Sequence, residues 1–277
     1  MLAMLSISRR VEAARRAFDR RDVEAAAALH DPERIARAVA DDMRRATSPI
    51  GAYIGSMVYG ALDGIITTFA VVSGVAGADL GSNVILILGI GNLVADGFSM
   101  GTGDYLSTKA EREYYDREAR RQRWEIESFP EGQRAELRAL YVKDGYDEAD
   151  ATRMTEVQTR DTGRWVNAMM IAELGMLKEE HNPFFNALAT FLAFVVAGSV
   201  PLLVYLVGLV VPVDAGTAFR VSVALSALAL FAVGAMKVYV TRLNPLRSGL
   251  EMLMVGGLAA AVAYVIGDLL QNVGGAG

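Results

Sequence analysis

The stretch "YGALDGIITTFAVVSG", Tyr59 to Gly74, sets one aspartate among apolar, glycine and hydroxyl residues. An ionised carboxylate in an apolar medium is costly, so Asp63 must have a partner or a task. Four other stretches share this apolar character, and each is long enough for the roughly 20 residues that a bilayer crossing needs. The five cover about 52–76, 83–105, 184–211, 217–240 and 249–272. Charge is kept apart from them. Of the 27 Lys and Arg, only Arg220, Lys237, Arg242 and Arg247 fall outside residues 1–50 and 106–182. The expected fold is an all-α integral membrane protein. It has five transmembrane helices and a cytoplasmic helical insert between the second and third.

The same charges set the orientation, because cytoplasmic loops collect Lys and Arg. The N-terminal block, the insert and the connection "VTRLNPLRSG" share one side, and the short loops near Asp79 and Asp214 lie opposite. This predicts a cytoplasmic N-terminus and insert, with the C-terminus across the membrane. The expected divisions are an arm over 1–48, spans one and two over 49–105, the insert over 106–182, and spans three to five over 183–277. The opening "MLAMLSISRRVEAARR" charges too quickly for a secretory signal. With no cysteine and two histidines, thiolate chemistry and histidine-rich metal sites are excluded. A net charge of −5 without a basic run argues against nucleic acid. No nucleophile–base pair or phosphate-binding glycine loop is visible, so neither an enzyme nor a resident cofactor is expected.

Two amphipathic helices are predicted in the arm, broken at Pro32 with the second starting near Asp31. In the insert there is neither Gly nor Pro between Gly103 and Pro130, so the second span should continue as one helix beyond the membrane. Ser128, Pro130 and Glu131 read as a capping-box start for the next helix, and Gly145 as its stop. A third helix is expected over about 147–161, and a fourth from Arg164 to Glu180.

Chemistry concentrates in two places. In "GNLVADGFSMGTGDYLSTKAE", Asn92, Asp96, Met100 and Asp104 recur every four residues and form one polar stripe on a helix. Ionisable residues inside a membrane usually face an interior and mark ion pathways. The competing reading is that Asn92 and Asp96 only hold helices together by hydrogen bonds. Gly60 and Gly64 bracket Asp63, and Gly97 and Gly101 lie around Met100, so spans one and two are expected to pair closely. Carboxylates with a thioether suit Fe²⁺ or Mn²⁺ better than Ca²⁺. In the insert, Met169, Glu173, Met176 and Glu180 would share one helix face, with Glu125, Glu127, Glu131 and Glu136 as candidate partners. Methionines at such spacing are more often core filler than ligands.

The motifs "DGIITTFAVVSG", "ADGFSMGTGDYLSTKAEREYY", "MMIAELGM" and "GLEMLMVGGLAAAVAYVIG" resemble the vacuolar iron transporter family over roughly residues 50–275. The resemblance implies a dimeric transporter that moves Fe²⁺, in some members Mn²⁺, out of the cytosol against protons. Asp63 would be the pathway carboxylate and Met100 the pathway thioether, with Asn92 at another polar pathway position. Met169, Met170 and Glu173 would match the metal-binding positions of the insert. The family commonly offers two Glu-x-x-Glu pairs there, where this chain has Gln122-x-x-Glu125 and Gln133-x-x-Glu136. Each amide removes a negative charge from a divalent-cation site. Expected partners are membrane lipid, divalent ions, protons and a second copy of the chain. The Ala- and Arg-rich usage favours a bacterial inner membrane over a vacuolar one. The alternative function is a membrane-anchored sensor or storage-linked protein in which the insert alone binds metal.

Overall fold

The structure is a computed structural model that describes residues 7–33, 35–36, 49–178, 182–236 and 244–274. It forms two compact units, Met1–Ala52 and Tyr53–Gly277. In the first, α1 (Ile7–Asp19) and α2 (Val23–Leu29) are separated at Arg20–Asp22. Arg21 takes a left-handed φ of 53°, and the Ala25 N–H donates to Asp22 Oδ1 at 2.9 Å. The expected break at Pro32 is therefore preceded by an earlier one, because Asp22 offers the helix cap first. Beyond it, Ile35 N–H bonds to the Asp31 carbonyl as expected for a start at Asp31, and the remainder of that helix lies outside the described residues.

The second unit holds α3 (Pro49–Gly77) from Tyr53 onward, α4 (Ser82–Ser128), α5 (Pro130–Lys143), α6 (Glu148–Gln158), α7 (Thr162–Ala172), α8 (Pro183–Gly198), α9 (Leu203–Val207), α10 (Ala215–Met236) and α11 (Pro245–Gly274). Among the described residues, five helical segments are long and apolar enough to cross a membrane: Tyr53–Gly77, the first part of α4, Pro183–Val207, α10 and Pro245–Gln271. Their outward faces carry exposed Ile87, Phe98, Val196, Leu228 and Leu258, which suits contact with lipid. The chain is a multi-pass membrane protein.

The third span is not one straight helix. A 3-10 turn at Val200–Leu202 separates α8 from α9. Pro201 has no N–H to donate and its ring collides with the carbonyl one turn back. The buried Ser222 hydroxyl of α10 donates to the Pro201 carbonyl at 2.6 Å, so the break leaves that oxygen satisfied.

The glycines pack differently from expectation. A Cβ on Gly60 would come within 2.5 Å of the Thr190 carbonyl oxygen, and one on Gly64 would strike that of Phe194, both on α8. Gly97 and Gly101 of α4 face Phe191, Phe194 and Ala187, also on α8. The first two spans are thus each fitted to the third rather than directly to one another through these glycines. The far end of α3 meets α11 in the same manner, with Gly74 and Gly77 against Ala263, Tyr264 and Gly267. Backbones approach closely only where no side chain intervenes.

Beyond the membrane α4 continues unbroken to Ser128, making 47 residues in all. At 1.5 Å per residue its length is roughly 70 Å, about twice the hydrocarbon thickness. The predicted capping box does not form. Ser128 stays in the last turn of α4, Phe129 is the single hinge residue, and Glu131 pairs with Arg134 instead. Gly145 does end α5, with φ of 102°. Helices α5, α6 and α7 close over the α4 extension around Ile126, Leu137, Tyr141, Ala151, Trp165 and Val166. Helix α7 stops at Ala172, eight residues before Glu180. Gly175 turns the chain at φ of 64°, and the Met176 N–H reaches back to the Met170 carbonyl. Met176 therefore does not continue the helical face of Met169 and Glu173, and Glu180 lies outside the described residues.

Gly64→Val should lower the thermal midpoint of the detergent-solubilised protein, because overpacking costs about 1–3 kcal/mol. Gly132→Ala, where the nearest atom is Phe129 Cβ at 4.0 Å, should not lower it, since Ala favours a helix over Gly. Equal midpoints for both variants would refute the close α3–α8 fit.

Candidate functional site in the spans and in the insert

The membrane group is built on α3 and α4. Asp63 sits midway along α3, half-buried, with Thr67 Oγ1 donating to its main-chain carbonyl at 2.8 Å. Asp96 on α4 is also half-buried, and the two carboxylates lie close enough to feel each other's charge. Met100 is one turn further along α4. It borders a cavity of about 300 Å³ lined by Ser56, Tyr59, Gly103, Asp104, Ser107 and Thr190. One turn on the other side, Asn92 has its Nδ2 buried and without a hydrogen-bond partner. Asn92, Asp96, Met100 and Asp104 thus follow one another at one-turn spacing along α4, and Asp63 of α3 stands within electrostatic reach of Asp96.

Asp104 is the best-anchored carboxylate of the stripe. Its Oδ1 accepts from Asn186 Nδ2 at 2.8 Å and its Oδ2 from Thr190 Oγ1 at 2.6 Å. Ser56 Oγ in turn donates to Asn186 Oδ1 at 2.8 Å, tying α3, α4 and α8 through one amide. Asn186 and Thr190 were not visible as partners in the sequence, because the contact depends on how α8 packs.

In the insert, the residues expected to act together do meet. Glu125 and Gln122 on α4, Gln133 and Glu136 on α5, and Glu173 at the end of α7 form one polar cluster. Gln122 is fully buried and its Nε2 donates to Glu173 Oε2. Gln133 Nε2 donates to Glu136 Oε2 at 3.1 Å. The carbonyl oxygens of both glutamines are buried without a partner. Burial, then the charges of Glu173 and Glu125, push the Glu136 carboxyl above its ordinary range, against the opposing pull of Arg121 and Gln133.

Arg121 is the residue that sequence reading missed. Its Nε donates to Glu118 Oε2 at 2.8 Å, and Nη1 reaches both Glu125 oxygens at 2.7 and 2.8 Å. Nη2 stands 3.5 Å from Glu173 Oε1. The signal was present, since Glu118 and Glu125 flank Arg121 at the i−3 and i+4 spacing of helical ion pairs. Among the described residues no group of three or more His, Cys, Asp or Glu is arranged to hold a metal ion. Met169 and Met170 are fully buried in the apolar core of the insert, packed with Trp165 and Leu137. Of the other candidates, Glu131 pairs with Arg134, and Glu127 is exposed.

Comparison with known proteins follows this geometry closely in extent. The VIT family model matches residues 54–268, the spans and the insert together. A protein named vacuolar iron transporter from Toxoplasma gondii is 36% identical over 269 residues, covering 95% of this chain and 89% of that protein. One of the same name from Plasmodium falciparum is 34% identical, covering 78% of this chain and 82% of its own. Vacuolar iron transporter 1 of Arabidopsis thaliana is 31% identical over 80% of this chain and 88% of its own. The Toxoplasma similarity reaches past the family core into the N-terminal arm. These relatives are transporters and not enzymes, and no cofactor is indicated beyond the ion carried. Matched along most of its length from both directions, the chain belongs to the VIT family.

Proposed function

We propose that this chain exports Fe²⁺ or Mn²⁺ from the cytosol in exchange for protons, working as a homodimer. The observation that carries the reading is the pair of half-buried carboxylates Asp63 and Asp96 inside two apolar spans, with Met100 one turn from Asp96 and bordering a cavity. Carboxylate oxygens supply charge for a divalent ion, and the thioether favours a transition metal over Ca²⁺ or Mg²⁺. The relatives' names agree with iron as cargo. Antiport follows if Asp63 holds either a proton or the metal and never both.

A second copy is supported by the cost of leaving Asp63 and Asp96 half-buried on a face that would otherwise meet lipid. Pairing across α3 would enclose them, together with the exposed Met57 and Tyr59. The distribution of Lys and Arg supports a cytosolic arm and insert. In this reading the insert collects the ion through Glu125, Glu136 and Glu173, helped by the glutamine carbonyl oxygens. Asp104 and Met100 border the route onward to Asp63. The composition supports a bacterial inner membrane as the host.

Proteoliposomes with an internal metal dye and a pH reporter test the transport reading. Wild type should move Fe²⁺ and Mn²⁺ with an opposing proton flux, and Asp63→Asn should slow both by at least about tenfold, as expected for a charge inside a pathway. Metal flux that survives unchanged in Asp63→Asn would remove Asp63 from the pathway. Metal flux without proton movement in wild type would end the antiport reading.

The glutamines give a separate outcome. In the full-length protein, Gln122→Glu combined with Gln133→Glu should tighten Mn²⁺ binding measured by titration calorimetry, because two carboxylates replace two neutral oxygens. Unaltered affinity would show that the cluster does not hold the ion.

A further inference from the structure

We infer that Arg121 acts as a built-in cation of the insert, so that a divalent ion binds there by displacing its guanidinium from Glu125 and Glu173. This rests on the insert being the place of metal capture, and it deepens that reading by naming what the ion must compete with.

The carboxylates are not gathered into a metal-holding group as they stand, and the guanidinium occupies the space between them. The planar guanidinium spends its donors on three carboxylates drawn from two helices, Glu118 and Glu125 of α4 and Glu173 at the end of α7. Both oxygens of Glu125 are taken by Nη1. Both oxygens of Glu173 are also engaged, one facing Arg121 Nη2 and the other accepting from Gln122 Nε2. An entering ion therefore finds two of its three candidate carboxylates already engaged. Only Glu136, which Gln133 contacts through one oxygen, lies outside the guanidinium's hydrogen bonds.

A second, independent feature points to a cation at this spot. The Gln122 side chain is fully buried and Gln133 is 8% exposed, and each leaves its carbonyl oxygen without a donor. A buried carbonyl oxygen without a partner costs free energy unless something positive meets it. Arg121 donates to neither oxygen, so the guanidinium satisfies the carboxylates and not the amides. A divalent ion, which prefers six or more oxygens, could draw on both kinds at once. Exchange then has a physical rationale. The arginine neutralises the cluster while it is empty, and the ion satisfies the two oxygens that the arginine cannot.

The exchange also has a structural consequence. Arg121 joins the α4 extension to the end of α7, where Gly175 begins the turn toward α8. Removing the guanidinium from Glu173 frees that junction unless the metal takes over the bridge.

The test is Mn²⁺ titration of the full-length protein in detergent, with thermal midpoints measured with and without Mn²⁺. Arg121→Gln should bind Mn²⁺ at least about tenfold tighter than wild type, since one opposing unit charge is removed at a few ångströms. Its metal-free midpoint should fall, and Mn²⁺ should raise it by more than in wild type. Arg121→Lys, a compact charge without the fork, should lie between the two. Adding Glu173→Gln to Arg121→Gln should abolish the gain, which assigns it to this cluster. Weaker or equal Mn²⁺ binding in a folded Arg121→Gln protein would overturn the exchange and make Arg121 a scaffold. Tighter binding in a protein whose liposomes carry no metal flux would leave the exchange standing and sink the transport reading.

Discussion

Inside a bilayer a helix gains nothing by hiding apolar surface from lipid that is equally apolar. What holds this bundle is close approach of backbones, and that depends on glycine. Helix α3 is gripped at its middle by α8 across Gly60 and Gly64, and at its far end by α11 across Gly74, Gly77 and Gly267. Gly198 of α8 returns the contact against the Gly64 backbone. Because Asp63 sits next to Gly64, the same tight crossing that joins the helices also sets the position of the carboxylate. The costliest residue in the span is thus placed beside the contact that tolerates least variation.

Polar groups then divide between two tasks. Asp104, Asn186, Thr190 and Ser56 satisfy one another and lock three spans at the end nearest the insert. Asp63 and Asp96 have no such closed side-chain network among the hydrogen bonds of the described residues, and Met100 borders the same cavity as Asp104. The contrast separates a carboxylate whose oxygens are spent on joining helices from two whose oxygens are not. It also answers part of the competing reading of the stripe, since only its last member is clearly spent on joining helices.

Much of the architecture was legible because membrane spans and long helices leave strong marks. The separation of charge into blocks gave the five spans, and the lack of Gly and Pro after Gly103 gave the long α4. The stop at Gly145 was readable because α5 ends there with a φ that L side chains rarely adopt. Errors gathered where one local signal competes with another. Ser128 had the right neighbours for a cap, yet it costs less to keep it in the continuing helix and turn at Phe129. The end of α7 was read too late because the run from Arg164 to Glu180 keeps its helical period through Gly175, which alone breaks it. In the insert, the glutamates and methionines could be named but not told apart. Spacing cannot say that Met169 and Met170 fill a core while Glu173 meets a guanidinium.

The unbroken α4 has a mechanical side. Met100 and Arg121 lie 21 residues apart on it, which is roughly 30 Å at helical rise, with no hinge between them. A rod of that kind transmits rotation and axial shift with little loss. If an event at Glu125 and Glu173 tilts its outer half, the inner half must turn the thioether and Asp96 with it. The insert cluster and the membrane stripe are thus parts of a single rod, and a flexible joint placed between them would let one move without the other.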